Sequence, residues 1–197
     1  MKKIMIAVMA VATVGLVSWT SMDKSAEGVQ TFKLDTAKTT LNWSGNYLAD
    51  GHSHMGTVNV TEGAVMYKGK KFQSGAFVVD LSTIAVTDLP DEKKPMLVGH
   101  LKSPDFFNVE KFMKVPVKIT GITATEIQAT ITVMGKEIAA TMPVKVEKAA
   151  DMITAKGKFD IDLATTGMNG FKAAEGKPAN ARVNSVVSFD INLVLKK

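Results

Sequence analysis

The sequence contains no cysteine among its 197 residues. This absence excludes a disulfide framework, a thiolate zinc site and a cysteine nucleophile. It also removes the residue to which the lipid of a bacterial lipoprotein is attached. The fold must therefore rest on its hydrophobic core, and a chain of this length with 46% hydrophobic residues can form one sizeable domain.

Arginine is nearly absent, since Arg182 is the only one in the chain. The formal net charge of +5 comes from lysines that are scattered among acidic residues rather than gathered in a patch. Nucleic-acid recognition relies on arginine and on dense basic surfaces. The composition therefore argues against a nucleic-acid partner.

The first residues, MKKIMIAVMAVATVGLVSWTSM, combine two lysines with an apolar run from Ile4 to Val17 and then small residues. This is the layout of a secretory signal, and the run is short for a membrane span. We expect residues 1–21 to be a signal peptide and residues 22–197 to be the exported domain, periplasmic or secreted, with a formal charge of +3 (24 − 19 − 2). The alternative is a retained N-terminal anchor.

From Phe32 onward, apolar and polar residues alternate with a period of two, which predicts strands with one dry and one wet face. The apolar faces are Leu41, Trp43, Gly45 and Tyr47; Phe77, Val79 and Leu81; Val115, Val117 and Ile119; Ile127, Ala129, Ile131 and Val133; Ile153, Ala155, Gly157, Phe159, Ile161 and Leu163; and Val187, Phe189, Ile191, Leu193 and Leu195.

Glycine and small polar residues between these segments predict turns. They occur in the stretches ADGH, EGAV, KGKK, TGIT, MGKE and EKAAD. Regular short strands with little helix indicate a sandwich or a barrel, and a single dry face on each of about eight strands favours an antiparallel barrel closed on itself. Closure also removes exposed sheet edges.

Two segments interrupt the series of strands. One is LPDEKKPMLVGHLKSPDFFNVEKF, in which we expect a short helical or loop insertion near residues 95–112. The other is GMNGFKAAEGKPANAR, a connection rich in glycine, alanine and lysine. Long insertions in a compact domain are either disordered or functional, and we expect both at barrel ends.

No catalytic motif is evident. The chain has no GxSxG elbow and no glycine-rich phosphate loop before a helix, so we expect no enzyme and no cofactor. His52 and His54 could share a metal with His100 if the fold brought the three together, but His-x-His pairs are common in loops. A surface loop with a packed His100 is the favoured interpretation, and we assign no metal site.

The stretch GHLKSPDFFNVEKF, followed by VPVKITG, resembles the signature of the YceI-like family, polyisoprenoid-binding proteins with a lipocalin-like barrel. The stretches LNWSG, SHMGTVNVTEG, FVVDLSTI, ITVMGKEI and GKFDIDL follow the order of the family, so the resemblance covers nearly the whole exported chain. Many members carry an Arg-Asp pair where this chain has Leu97 and Val98, an arginine at Leu163 and an aspartate at Asn184. We transfer no polar contact at those positions.

The resemblance implies an exported barrel of about eight strands that holds a long isoprenoid, of polyprenyl or quinone type, in an apolar lumen. It would act as a carrier, reservoir or sensor. Transient membrane contact and a homodimer are left open as further partners. The residues expected to contact the lipid are Trp43, Tyr47, Phe77, Val79, Leu101, Phe106, Phe107, Ile131, Phe159, Ile161, Phe189 and Ile191.

Within the signature, we expect His100 and Asp105 to fix a turn by hydrogen bonds to backbone. Leu101, Phe106 and Phe107 would then either plug the barrel or form a lip over the ligand.

Three functional classes follow. The first is the lipid carrier, and the second is a structural or stress-related envelope protein whose inward faces fill a solid core. The third, a metal-dependent enzyme built on the three histidines, has the least support.

Overall fold

Ten antiparallel strands and one α-helix make up the fold in the computed structural model, which describes residues 28–197. The expected signal peptide lies outside the described residues. The elements are β1 (Val29–Leu34), β2 (Thr40–Asn46), β3 (Ser53–Lys68), β4 (Lys71–Val86), α1 (Lys94–Lys102), β5 (Lys114–Ile122), β6 (Glu126–Val133), β7 (Lys136–Pro143), β8 (Lys145–Lys148), β9 (Met152–Asp162) and β10 (Val186–Lys196).

The ten strands occupy eight positions around a closed antiparallel barrel. Strands β1 and β2 share one position, because both pair with β3 on one side and with β10 on the other. Strands β7 and β8 share another, since β7 pairs with β6 and β8 pairs with β9. The expected all-β barrel of about eight strands is therefore confirmed, with two of its strands broken.

Gly157 accommodates the break between β7 and β8. A β-carbon at this position of β9 would lie 2.7 Å from the Pro143 carbonyl oxygen and 2.9 Å from the Val144 α-carbon. Because these are backbone atoms, they have little freedom to move aside. Glycine thus permits the close approach that joins the β7–β8 position to β9.

The turn expected in the stretch EGAV is wrong, because β3 continues through it to Lys68. The register between β3 and β4 shifts between Val60 and Glu62, which marks a β-bulge. A β-carbon on Gly63 would lie 1.9 Å from Cδ1 of Phe77 on β4. The glycine therefore marks a bulge and a close contact with an aromatic ring instead of a chain reversal.

Both long connections lie at the same end of the barrel. The first contains α1 and the turns up to Met113, which confirms the expected helical insertion near residues 95–112. The second runs from Leu163 to Ser185 and contains two short 3-10 turns, Ala164–Thr166 and Asn169–Phe171. No helix within residues 28–197 is long and apolar enough to cross a membrane.

Candidate ligand-binding site

A cavity of about 200 Å³ lies inside the barrel. Its wall consists of 30 residues, every one of them Leu, Ile, Val, Phe, Met, Ala, Gly or Trp. The indole N–H of Trp43 is the one polar side-chain group among them, and it is buried in the wall. The lumen therefore offers an apolar ligand an environment without charge.

Eleven of the twelve residues expected to contact a lipid line this cavity. They are Trp43, Phe77, Val79, Leu101, Phe106, Phe107, Ile131, Phe159, Ile161, Phe189 and Ile191. Tyr47 lies outside the lining, because β2 ends at Asn46 and its alternation stops there. The Tyr47 ring instead stacks on His52, with ring centroids 5.3 Å apart.

Several inward residues keep solvent-accessible apolar surface although they lie in the middle of their strands. Val79, Val117, Ile131, Phe189 and Ile191 are all half-buried and all line the cavity. In a tightly packed core such side chains would be fully buried. This part of the barrel is therefore not a solid core, and a ligand could cover the remaining apolar surface.

The barrel is solidly packed at the end opposite α1, which we call the closed end. It is formed by Phe32, Val65, Tyr67, Ile153 and Leu195, none of which is more than 6% exposed. Phe32 and Tyr67 meet edge to face, with ring centroids 6.2 Å apart. Burial at this end also raises the pKa of the Tyr67 phenol.

Lys148 covers the closed end from outside. Its Nζ lies 4.5 Å from the ring centroid of Tyr67 and 5.6 Å from that of Phe32. It also donates a hydrogen bond to the Gly69 carbonyl oxygen at 3.3 Å. These cation–π contacts place a charge, which an apolar ligand would avoid, beyond the packed rings.

At the α1 end, the cavity wall includes residues from the two long connections. We call this end the mouth and define it by Leu101, Phe106, Phe107, Phe171 and Val183. All of these except Phe106 are half-buried. The lumen therefore reaches the surface at the mouth, in contrast with the closed end.

Phe106 joins the two connections. Its ring packs edge to face against His100 on one side, with centroids 4.9 Å apart, and against Phe171 on the other, at 6.2 Å. Asp105 adds hydrogen bonds, because its carbonyl oxygen accepts from Gly170 N at 3.0 Å and its carboxylate from Asn169 Nδ2 at 3.3 Å. The mouth is thus a single packed structure.

The expected roles of His100 and Asp105 need correction. The His100 ring acts through contact with Phe106, and it is the His100 carbonyl oxygen that accepts hydrogen bonds from Ser103. The Asp105 carboxylate is bonded to the Asn169 side chain and not to backbone. Sequence spacing could not reveal the partner of the Asp105 carboxylate, because Asn169 lies more than sixty residues further along the chain.

A charged network fixes α1 and β5 to β4. Lys114 Nζ lies 2.6 Å from the Asp80 carboxylate, and Ser82 donates to the same carboxylate through its hydroxyl at 2.6 Å. Burial acts to raise the pKa of Asp80, but the hydrogen bonds from Lys114 and Ser82 outweigh it and hold the pKa below its usual value. Lys102, in the last turn of α1, donates to the Ser82 carbonyl oxygen at 2.7 Å.

The three histidines do not form one site. His52 and His54 are neighbours, with ring centroids 5.7 Å apart, but each pairs with its own aspartate, Asp50 and Asp88. His100 instead packs on Phe106. Across residues 28–197, no three His, Cys, Asp or Glu side chains are arranged to hold a metal ion.

Some lining residues were missed by sequence reasoning. Val58 and Val60 belong to β3 and alternate with polar residues in the stretch TVNV, but no dry face was assigned to that stretch. Phe171 and Val183 belong to the second connection, which has no periodicity to assign a side chain to the lumen. Phe171 could have been found from the sequence, because it is the one aromatic residue in the glycine- and alanine-rich stretch GMNGFKAAEGKPANAR.

At three of the four positions where this chain departs from the expected family pattern, the side chain is apolar and lies in or against the core. Leu163 is 3% exposed and lines the cavity, while Leu97 and Val98 pack against the core. Asn184 donates through Nδ2 to the side-chain oxygen of Asn46 at 3.2 Å, which links the second connection to the end of β2.

An antiparallel barrel with an apolar lumen that is closed at one end and reaches the surface at the other defines a class of small-ligand binding proteins. The model of the YceI-like domain matches residues 32–195, and the chain belongs to this family.

Two solved structures share the fold. A polyisoprenoid binding domain from Saccharophagus degradans, implicated in plant cell wall breakdown, has a TM-score of 0.59 at 13% identity, covering 84% of this chain and 97% of that one. BcnA from Burkholderia cenocepacia has a TM-score of 0.58 at 18% identity, covering 82% of this chain and 98% of that one. A search of curated protein sequences gave no significant match.

Proposed function

We propose that this protein binds the tail of an isoprenoid lipid, of polyprenyl or quinone type, in the lumen of its barrel. The observation that carries the proposal is the wholly apolar wall of the cavity together with its half-buried inward side chains. Transfer of apolar surface from water contributes about 0.8 kcal/mol for each CH₂ group. A prenyl tail therefore gains ample free energy in such a lumen, even after the ordering costs of binding.

The choice of an isoprenoid over other apolar ligands is supported by family membership. The Saccharophagus degradans domain is described as polyisoprenoid binding, and its barrel has the same architecture. Because the lumen wall carries no charged group, the head group of the lipid would remain at the mouth. We propose binding without chemistry at the lipid, since a catalytic step would need polar groups facing the ligand.

We further propose that the protein is exported and serves the lipid as a carrier, reservoir or sensor outside the cytoplasm. This rests on the apolar N-terminal run after Lys2 and Lys3. Met96 on α1 is 75% exposed, and none of the residues of α1 is buried. Such a helix beside the mouth suits transient contact with a membrane from which the lipid is drawn. A homodimer would be another way to cover the exposed face of α1.

Native mass spectrometry of the full chain, expressed with its own N-terminus and purified without detergent, tests this function. We expect an added mass that is removed by organic extraction and is identified as a prenyl compound. Protein that carries no such mass, and that takes up no added prenyl alcohol, would support a structural envelope protein instead and would contradict the proposal.

A further inference from the structure

The lumen ends inside the barrel at a definite level. The residues that line the cavity are Ala155, Phe159 and Ile161 on β9 and Val187, Phe189, Ile191 and Leu193 on β10. The next inward residues, Ile153 and Leu195, do not, and they are direct partners in the β9–β10 ladder. Both are 2% exposed and belong to the closed end. The chain of a ligand must therefore stop above this pair.

The depth of the lumen follows from the strands. Six residue steps separate Val187 from Leu193, which corresponds to about 20 Å along a strand. Barrel strands tilt by roughly 40° from the axis, so the axial depth is about 15 Å. An extended chain gains about 1.2 Å per backbone bond, so that a prenyl unit of four bonds spans about 5 Å. The lumen is therefore about three prenyl units deep.

The volume of the lumen sets a tighter limit. At about 30 Å³ for each water-sized group, a cavity of about 200 Å³ holds roughly seven such groups. This is between one and two five-carbon units. It also lies below the 300–1,000 Å³ typical of pockets that enclose a drug-sized ligand. Depth and volume both fall short of what a chain of eight or more units requires.

We propose that the lumen takes the lipid tail first and encloses no more than about three prenyl units from its terminal end. The remainder of a longer chain, with its head group, leaves through the mouth. Ile153 and Leu195 act as the floor that sets this limit, and Ala155 is the small residue directly above it. The inference rests on the proposed function and adds to it the part of the lipid that is recognised.

Affinity measured as a function of chain length tests the inference. Prenyl diphosphates of one to six units, each below its micelle concentration, are titrated into the full-length protein. Their dissociation constants are measured by isothermal titration calorimetry. We expect Kd to fall about tenfold or more for each unit up to three and to change less than about threefold for each unit after that. A tenfold fall that continues to six units would overturn the inference and leave the proposed function intact. No binding at any length would overturn both.

Two variants move the floor in opposite directions. Ala155→Leu fills the deepest part of the lumen and is expected to weaken three-unit binding about tenfold while leaving one-unit binding unchanged. Ile153→Ala lowers the floor and should extend the gain to a fourth unit. Ala139→Leu makes the same change as the first variant on the exposed face of β7 and is the matched control.

Thermal melts followed by circular dichroism establish that each variant is folded. If Ala155→Leu does not fold, Ile153→Ala alone decides the question. Folded variants that keep the length profile of the unsubstituted protein would contradict the assignment of the floor.

Discussion

The ring of Phe106 packs directly on the α-carbon of Gly170. A β-carbon at Gly170 would lie 2.2 Å from Cζ of Phe106 and within 2.6 Å of both neighbouring ring carbons, so no larger residue fits without moving the ring. The contact joins the connection that contains α1 to the connection between β9 and β10. The mouth of the lumen therefore depends on one aromatic ring and one glycine from distant parts of the chain.

Gly170→Ala is expected to destabilise the protein by about 1–3 kcal/mol, because the Phe106 ring must shift within a packed site. The measurement is the free energy of unfolding in urea. Gly99→Ala, in α1, is the matched control, since nothing lies within 4 Å of a β-carbon there. Alanine is also favoured over glycine in a helix, so Gly99→Ala should be neutral or slightly stabilising. Equal destabilisation by both variants would contradict the close packing of Phe106 on Gly170.

Phe106→Ala and Phe107→Ala are expected to separate stability from binding. Phe106 is 5% exposed, so its truncation should cost about 3–5 kcal/mol in the ligand-free protein. Phe107 is half-buried and lines the lumen, so its truncation should cost much less stability and mainly weaken the binding of a prenyl ligand. Denaturant melts and ligand titrations measure the two effects. If Phe106→Ala alone weakened prenyl binding and left the free energy of unfolding unchanged, these assigned roles would be contradicted.

Asp80→Asn is expected to destabilise the protein at neutral pH and to have less effect in acid. Because the folded-state pKa of Asp80 is lowered from 3.8, its ionised form stabilises the fold at pH values above 3.8. That contribution is lost as the pH falls below 3.8 through the lower folded-state pKa. The difference in unfolding free energy between the two proteins should therefore shrink as the pH falls below 3.8.

Asp91→Asn is the control for this pH dependence. Asp91 also pairs with a lysine, Lys94, but its side chain is 95% exposed. Exposed pairs contribute little to stability, so this variant should remain close to the unsubstituted protein throughout. A difference between Asp80→Asn and the unsubstituted protein that stays constant with pH would exclude ionisation of Asp80 as the cause.

Lys148→Met is expected to lower stability by about 0.5–1 kcal/mol while leaving ligand affinity unchanged. The substitution keeps an apolar stem over Tyr67 and Phe32 but removes the cation–π contacts. Lys145→Met, which breaks only the exposed pair with Glu147, serves as a comparison. A large effect of Lys148→Met on prenyl binding would mean that the lumen extends through the closed end.

The faces of the strands could be predicted from the sequence because alternation in a strand decides on which side a residue lies. The pattern of β9 and β10 assigned Phe159 and Phe189 to the interior, and both line the lumen. Alternation does not encode depth, however. Ala155 and Ile153 follow the same pattern, although one lines the cavity and the other belongs to the closed end.

Contacts between distant segments could not be predicted from local patterns. The packing of Phe106 on Gly170 depends on how two connections without periodicity meet, and the sequence carries no signal of that meeting. Gly63 gave a misleading signal, because a glycine in a bulge resembles a glycine in a turn. The breaks between β1 and β2 and between β7 and β8 likewise depend on the closure of the whole barrel.

The most direct test of the central claim uses the fluorescence of Trp43, which lies in the wall of the lumen. In full-length protein carrying Trp19→Phe, Trp43 is the one remaining tryptophan. Titration with farnesyl diphosphate, which has three prenyl units, should change its emission in a saturable way with one ligand bound per chain. Trp43 emission that stays unchanged up to the micelle concentration, with no binding detected by calorimetry in the same sample, would contradict the claim that the lumen binds a prenyl tail.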